Sequence, residues 1–334
     1  MHVFKAIIYS LILLLSGIII ALPFFPAVIA GKCVYLTYLA WPLFILCTVL
    51  WIKNRKYLGW RYAFAVMTLC HLLWVWNYIP LHTGNLSGKQ GKTYCIASWN
   101  VSNFGSGFQN YTVLPHAVDE LTKNHPDIIC IQERPHTNVI HWDSIQAYFS
   151  DYPYIVKNER EDEVLNLAVF SKYPLGELKE YYFEGSYNKM MQVDVRLDEK
   201  TIRLFNVHLQ TTGLSDRKDG EVKNILSSFM DYAIFRNQQA ETLHKAVQDS
   251  PHPVLITGDF NDLRFSYAYR QFFKLRDFHH VAGSGIGGTF KKYFRIDYML
   301  CSQDIQPLDY QLEENEWSDH KMQVGWFRVS TTGI

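Results

Sequence analysis

Six apolar runs in the second part of the chain each lead to a polar side chain that can hold a cation or a phosphate. Ile96-Ala97-Ser98-Trp99 leads to Asn100, and Ile128-Ile129-Cys130-Ile131-Gln132 to Glu133. Leu204-Phe205-Asn206-Val207 leads to His208, and Val254-Leu255-Ile256-Thr257-Gly258 to Asp259, with Asn261 two residues on. Arg295-Ile296 precedes Asp297, and Trp317-Ser318 precedes Asp319-His320. Singly, each has an ordinary role: a turn asparagine, a helix-capping Asp259, a satisfied half-buried His208, a surface Asp319-His320 pair. Together they supply carboxylates, carboxamides and two histidines, with no serine elbow and no thiol beside a base. That is the equipment of metal-assisted hydrolysis rather than covalent acyl transfer.

Strand ends are where a rigid scaffold can aim such side chains at one point. The pattern of short apolar runs predicts strands at Tyr94–Ser98, Ile128–Gln132, Leu167–Phe170, Met191–Arg196, Ile202–His208, Val254–Thr257, Ile296–Leu300 and Lys321–Val329. Helices are expected at Leu114–Lys123, from Ile225–Phe229 onward, and at Arg236–Gln248, where Ala240, Leu243 and Val247 share a face. Mixed elements of this length imply an α/β (α+β) domain of two packed sheets with helices outside. The cysteines form no CxxC or CxxH pair, which argues against a structural zinc site; Cys95 and Cys130 read as buried thiols.

Ser98-Trp99-Asn100-Val101, Ile131-Gln132-Glu133, Asn206-Val207-His208, Gly258-Asp259-Phe260-Asn261-Asp262, Arg295-Ile296-Asp297-Tyr298 and Ser318-Asp319-His320 together resemble the ordered motifs of the endonuclease/exonuclease/phosphatase superfamily, the deoxyribonuclease I-like enzymes. The resemblance spans residues 93–330 and implies a four-layered sandwich of two packed mixed β-sheets flanked by helices. It implies Mg²⁺ or Mn²⁺ held by Glu133 with Asn100 and Asp319, which agrees with the preference of hard cations for oxygen. Asp259 would orient and deprotonate the attacking water, and Asn261 would donate to the phosphate. His320, kept protonated by Asp297, would stabilise the transition state, and His208 would contact the phosphate or the leaving group. Some members pair that histidine with a carboxylate; Glu159, Glu161 and Glu163 are the nearby choices here. Arg236 and Thr289 could reach the phosphate or serve only a surface or turn role, and Asn206 could hold the His208 loop.

Charge says less about the substrate. Residues 1–82 carry six Lys/Arg and no Asp or Glu, leaving 26 basic and 32 acidic residues behind them. A net of −6 lacks the electropositive footprint of nucleic-acid binding, although Lys291, Lys292 and Arg295 flank Tyr293 and Phe294. The expected activity is hydrolysis of a phosphodiester or phosphomonoester, endonuclease-like. The alternatives are a lipid phosphodiesterase acting on phospholipid or sphingolipid headgroups, and a non-catalytic membrane-bound module. No obligate protein partner is evident.

The front of the chain predicts a membrane anchor. Ala6–Ala30, Val34–Ile52 and Tyr62–Ile79 are apolar enough for three transmembrane helices within residues 1–82. A cleaved signal peptide is the competing reading for the first run, but the run is long and two more follow. Lys53, Arg55, Lys56 and Arg61 place the loop between the second and third spans in the cytoplasm. Residues 83–92, rich in Gly and Ser, read as a linker, and the domain beyond them is expected on the periplasmic or extracytoplasmic face of an inner or plasma membrane.

Overall fold

The computed structural model describes residues 2–76, 91–104, 110–161, 165–213, 222–283, 285, 287–291 and 293–330. The chain opens with α1 (His2–Ala21), then α2 (Ala27–Lys32), α3 (Ala40–Lys53) and α4 (Leu58–Trp76). Pro23, at the first turn of a short 3-10 stretch, and Pro26, at the N-cap of α2, end the first helix because proline removes a backbone donor. Two helical stretches, Val3–Phe24 and Val34–Lys53, are long and apolar enough to cross a bilayer. The third expected span is not shown: among the described residues the apolar stretch on α4, Leu58–Leu73, is shorter than a crossing needs. The rest of that expected span, from residue 77, and the expected linker up to residue 90 lie outside the described residues.

The remainder is a sandwich of two six-stranded sheets. The first carries β1 (Tyr94–Asn100), β2 (Ile128–Arg134), β3 (Tyr154–Lys157), β4 (Asn166–Ser171), β11 (Ile305–Glu313) and β12 (Met322–Val329), in the order β11-β12-β1-β2-β4-β3. The second carries β5 (Lys179–Tyr182), β6 (Lys189–Leu197), β7 (Lys200–His208), β8 (Val254–Asp259), β9 (Arg276–Asp277) and β10 (Asp297–Cys301), in the order β5-β6-β7-β8-β10-β9. Both sheets are mixed: β1/β2 and β7/β8 run parallel, and their other pairs antiparallel.

Strand alternation explains the layers, because successive side chains point to opposite faces. Ile96, Ile128, Cys130 and Val169 of the first sheet meet Val193, Leu204, Leu255 and Met299 of the second. Ala97, Trp99, Ile129 and Ile131 face outward, under Leu114, Ala117 and Leu121 of α5 (Asn110–Thr122) and beside α6 (Trp142–Tyr148). On the far side, Phe205, Val207, Ile256 and Leu300 are covered by Ala240 and Leu243 of α7 (Val222–Gln248). Short helices α8 (Tyr267–Arg270) and α9 (Phe278–Val281) close that end.

All eight expected strands are present, and the two expected helical segments after residue 222 are one 27-residue helix. Unforeseen are β3, β5, β9 and β11: β3 and β5 are four-residue sheet edges, β9 has two residues, and β11 is bulged at Pro307.

Candidate active site

One ladder row carries much of the site. Where β6, β7, β8 and β10 run side by side, Lys189 stands opposite His208, His208 opposite Asp259, and Asp259 opposite Asp297. Four titratable groups therefore share a row at the termini of adjacent strands. Gly258, one residue earlier, has φ +132°, and a Cβ there would lie 2.1 Å from the Val207 carbonyl oxygen. Only glycine allows β8 to approach β7 this closely.

The other sheet contributes Asn100 and Glu133. The β2/β4 register slips between Ile131 and Arg134, and Glu133 takes φ +54° in that bulge. Its carboxylate thereby turns toward the second sheet, where Asn100 Nδ2 donates to Glu133 Oε1 at 2.9 Å and to Asp259 Oδ2 at 3.1 Å. Asn261 also has a left-handed backbone, φ +51°. Non-glycine residues held this way cost of order 1–3 kcal/mol each, a cost that gathers at functional sites. Asn206 sits beneath as a tie between the sheets. Its Nδ2 donates to the carbonyls of Ile131 (3.1 Å) and Ala168 (3.0 Å), and its Oδ1 accepts from Gln132 Nε2 at 2.7 Å.

His320 completes the cluster. Its Nδ1 lies 2.9 and 3.1 Å from the two Asp297 oxygens, and its Nε2 lies 3.8 Å from Asp259 Oδ2. Thr289 is engaged with the backbone that leads into Asp297. Its Oγ1 accepts the backbone N–H groups of Ile296 and Asp297, both at 3.1 Å, and so fixes Asp297. The backbone of His320 is held by Trp99 Nε1, donating to its carbonyl at 2.9 Å, while Ser318 Oγ donates to the Asn100 carbonyl at 2.7 Å.

Burial and charge tune these groups in opposite directions. Desolvation penalises the His320 cation, but Asp297, Asp259 and Asp319 together outweigh it and raise its pKa to about 10. Desolvation first, then the charge of Asp297, pushes the Asp259 carboxyl up to about 8. Desolvation likewise raises Glu133. His208 is fully buried and driven down to about 3 by desolvation, with His320 and Lys189 adding repulsion. It is thus neutral beside Glu133 Oε1 (3.6 Å) and Asp259 Oδ2 (3.7 Å), and these contacts are not ion pairs.

A divalent cation fits this setting. Among the described residues neither ring nitrogen of His208 has a hydrogen-bond partner, although the ring is completely enclosed. Ligand atoms of Glu133, His208 and Asp259 lie within 4.8 Å of one another, as do those of Asp259, Asp297 and His320. Glu133 and Asp259, crowded together with raised pKa values beside the His208 imidazole, are groups that a cation would relieve.

The structure gathers Asn100, Glu133, His208, Asp259, Asn261, Asp297 and His320. Asp319 stands at the rim, half exposed, with Oδ1 3.9 Å from His320 Nε2. The Asn100 Oδ1 accepts from Ser102 N–H at 3.0 Å, so ligation through it would require the amide to turn over. Asn261 Nδ2 donates to the Leu209 carbonyl at 3.0 Å, leaving its second N–H for a substrate oxygen.

Of the carboxylates considered as partners for His208, Glu161 instead pairs with buried Arg134 at 2.7 Å and accepts from Thr137 and Lys157. The Glu159 N–H meets Glu180, and Glu163 lies outside the described residues. Arg236 is buried on α7, bound to Asp262 at 2.8 Å and to the Gln210 carbonyl at 3.1 Å, a support for the loops after β7 and β8. Lys189 escaped the sequence reading: a buried lysine at a strand start leaves no periodic signal, and its place in the row follows from the β6/β7 register.

A family model described as the endonuclease/exonuclease/phosphatase family matches residues 97–320. No curated protein matches the chain. Among solved structures, an endonuclease/exonuclease/phosphatase from Beutenbergia cavernae DSM 12333 is similar with TM-score 0.55 and 15% identity, covering 72% of each chain. The human Nocturnin catalytic domain with bound sulfate anion gives TM-score 0.53 at 16% identity, over 71% of this chain and 95% of that one. Truncated Caenorhabditis elegans TDP2 gives 0.53 at 17%, over 71% and 98%. At these identities the likeness is one of fold.

Proposed function

The chain belongs to the endonuclease/exonuclease/phosphatase family, and from that premise we propose that it is a membrane-anchored, divalent-metal-dependent hydrolase of phosphodiester bonds. The observation that carries this reading is the placement of His320 between two carboxylates, 2.9 Å from Asp297 and 3.8 Å from Asp259. An imidazolium held in that way is a fixed positive charge with an N–H to offer a phosphate oxygen.

Glu133 and Asn100, with Asp319 at the rim, would hold Mg²⁺ or Mn²⁺. Such an ion neutralises charge on the phosphate and on the departing oxygen when bound. Asp259 has one oxygen fixed by the Asn261 N–H at 2.7 Å and the other facing His320 and His208. That geometry suits a base which orients water and takes its proton in line with the bond to be broken. Asn261 and protonated His320 donate to the phosphate oxygens as charge builds on them. His208, neutral and enclosed, offers a ring nitrogen to the phosphate or the leaving oxygen.

The anchor reading rests on the two apolar helices, of whose windows only 28% and 22% are buried, unlike core helices of a soluble protein. The connector between them, α2, packs on α7, where Asn237 Nδ2 donates to the Ala27 carbonyl at 2.8 Å. Connector and domain thus share one side, opposite Lys53, Arg55, Lys56 and Arg61, an arrangement that requires α4 and the residues following it to lead the chain back across and that favours an extracytoplasmic domain. The same packing favours a second reading, a lipid phosphodiesterase, because it holds the domain against the membrane face.

The test is a substrate panel. The purified full chain is incubated with Mg²⁺ or Mn²⁺ and plasmid DNA, sphingomyelin or phosphatidylinositol vesicles, or inositol phosphates. EDTA-sensitive plasmid nicking is the expected result, and release of phosphocholine or phosphoinositol would favour the second reading. Silence on every substrate, with metal binding intact, would leave a non-catalytic binding module and overturn the hydrolase.

A further inference from the structure

Where the N-terminal helices meet the domain lies a cavity of about 490 Å³, lined by none of the eight candidate site residues. One wall is Pro23 and Phe24, at the end of the first apolar helix; another is Phe272, Phe273 and Leu275. Arg264, Arg270 and Arg276 also line it, against a single acid, Asp277. That carboxylate is already engaged by Arg295 Nη2 at 2.6 Å, by the Tyr269 hydroxyl at 2.7 Å and by Arg264 Nη1 at 3.8 Å. The cavity therefore has a net positive lining.

The arginines are placed by the apolar wall. The Arg270 guanidinium lies 3.9 Å over the Phe24 ring, so a cation is stacked on the residue that ends the first apolar stretch. Arg276 Nε donates to Gln303 Oε1 at 2.7 Å, which holds its guanidinium in place. Phe24 and Phe273 are 65% and 66% exposed, large apolar side chains out of keeping with a watery surface. Because Phe24 ends the candidate span Val3–Phe24, the cavity sits at headgroup depth if that helix crosses the bilayer.

A concave apolar site with cationic groups at that depth calls for a ligand that is both apolar and anionic. We propose that this cavity binds one anionic glycerophospholipid, its phosphate among Arg264, Arg270 and Arg276 and the top of an acyl chain between Phe24 and Phe273. The proposal rests on the membrane-anchored part of the preceding reading and is independent of the hydrolase part.

The full chain is extracted in detergent with equal phosphatidylglycerol and phosphatidylcholine, and retained lipid is counted by native mass spectrometry. One phosphatidylglycerol per chain is expected. Arg270→Glu combined with Arg276→Glu should lower its retention by about 10-fold or more, while the milder Phe273→Ser lowers it without touching charge. A cooperative melt like that of the parent protein establishes that each variant is folded. Equal retention of the two lipids, or retention unmoved in folded variants, would overturn the proposal. Release of the chain from membranes by alkaline carbonate without detergent would overturn the anchor reading and the lipid site with it.

Discussion

His320 presents Nδ1 to Asp297 at 2.9 Å and Nε2 to Asp259 at 3.8 Å, so one imidazole separates a carboxylate that charges it from one proposed to take a proton. The two acids belong to neighbouring strands, β10 and β8, and are direct ladder partners. What distinguishes their roles is contact: Asp297 has the short bonds to the ring, and Asp259 has the Asn261 N–H on its other oxygen.

Asp297→Asn tests that division. It keeps the shape and removes the charge that does most to offset desolvation at His320, whose pKa should fall from about 10 toward 6.5. The charged imidazole is needed below its pKa, so the alkaline limb of the pH–rate profile should move to lower pH. At pH 8 turnover should drop by about 10²–10⁴-fold. Metal binding, measured by calorimetry with Mn²⁺, should change far less than turnover.

Stability without metal should fall as pH rises above 6.5. Asp259, raised from 3.8 to about 8, and His320, raised from 6.5 to about 10, both bind more protons folded than unfolded in the window 6.5–8. Their stabilising contribution is present at lower pH and is lost as pH climbs through the folded values. His208 has the opposite sign, but its window, from about 3 to 6.5, lies below this one. Melting temperature in EDTA should decline from pH 6.5 to 9, and Mg²⁺ or Mn²⁺ should raise it more at pH 8.5 than at 6.5. A flat or rising profile in EDTA would contradict the titration scheme.

Glu133→Gln should abolish the charge most directly available to a cation while keeping an acceptor for Asn100 Nδ2. Mn²⁺ affinity should weaken by about 10-fold or more and activity by at least as much. Desolvation raises Glu133, so removing its charge should not destabilise the metal-free fold. Loss of activity with unchanged Mn²⁺ affinity would move the cation to the other carboxylates.

Much of this site was legible because several of its residues stand at the termini of apolar strands, and burial makes such strands easy to see. Asn100, Glu133, His208 and Asp259 end β1, β7 and β8 or sit in the bulge of β2, while Asp297 opens β10. Elements with weaker periodicity were hidden: β5, Lys179–Tyr182, is exposed or half-buried throughout, and β11 is interrupted at Pro307. Pairings set by long-range geometry were equally hidden. Nothing local tells that Glu161 serves Arg134 rather than His208, or that Lys189 stands opposite His208. Of the three expected spans two are matched by apolar helices of sufficient length, Val3–Phe24 and Val34–Lys53, and the third extends beyond the described residues.

His208→Asn separates function from architecture. The imidazole is enclosed yet makes no hydrogen bond through either nitrogen among the described residues, so its replacement forfeits none of these. Thermal stability should fall by no more than about 1–2 kcal/mol, the cost of a small packing defect. Turnover should fall by about 10²-fold if the ring meets the phosphate or the leaving oxygen. Equal losses in stability and activity would instead mark His208 as a packing residue.

Asn206→Leu tests how the two halves of the site are kept together. Asn206 makes three hydrogen bonds across the sandwich, to Ile131, Ala168 and Gln132, all between buried groups. A leucine of similar size would remove all three bonds, two from the carbonyls and one from the Gln132 amide, which keeps its bond to Ser98 Oγ at 3.2 Å, at about 1–3 kcal/mol for each buried group left unpaired. A loss of about 3 kcal/mol or more is expected, a fall in melting temperature of roughly 6–12 °C for a domain of this size. Gln132 immediately precedes Glu133, and Asn206 lies two residues before His208, so the break falls beneath the facing pair. Activity per folded molecule should therefore drop as well, with added Mn²⁺ recovering part of it by drawing Glu133 and His208 back together. Full activity in a destabilised variant would show that the sheets hold their spacing by apolar packing alone.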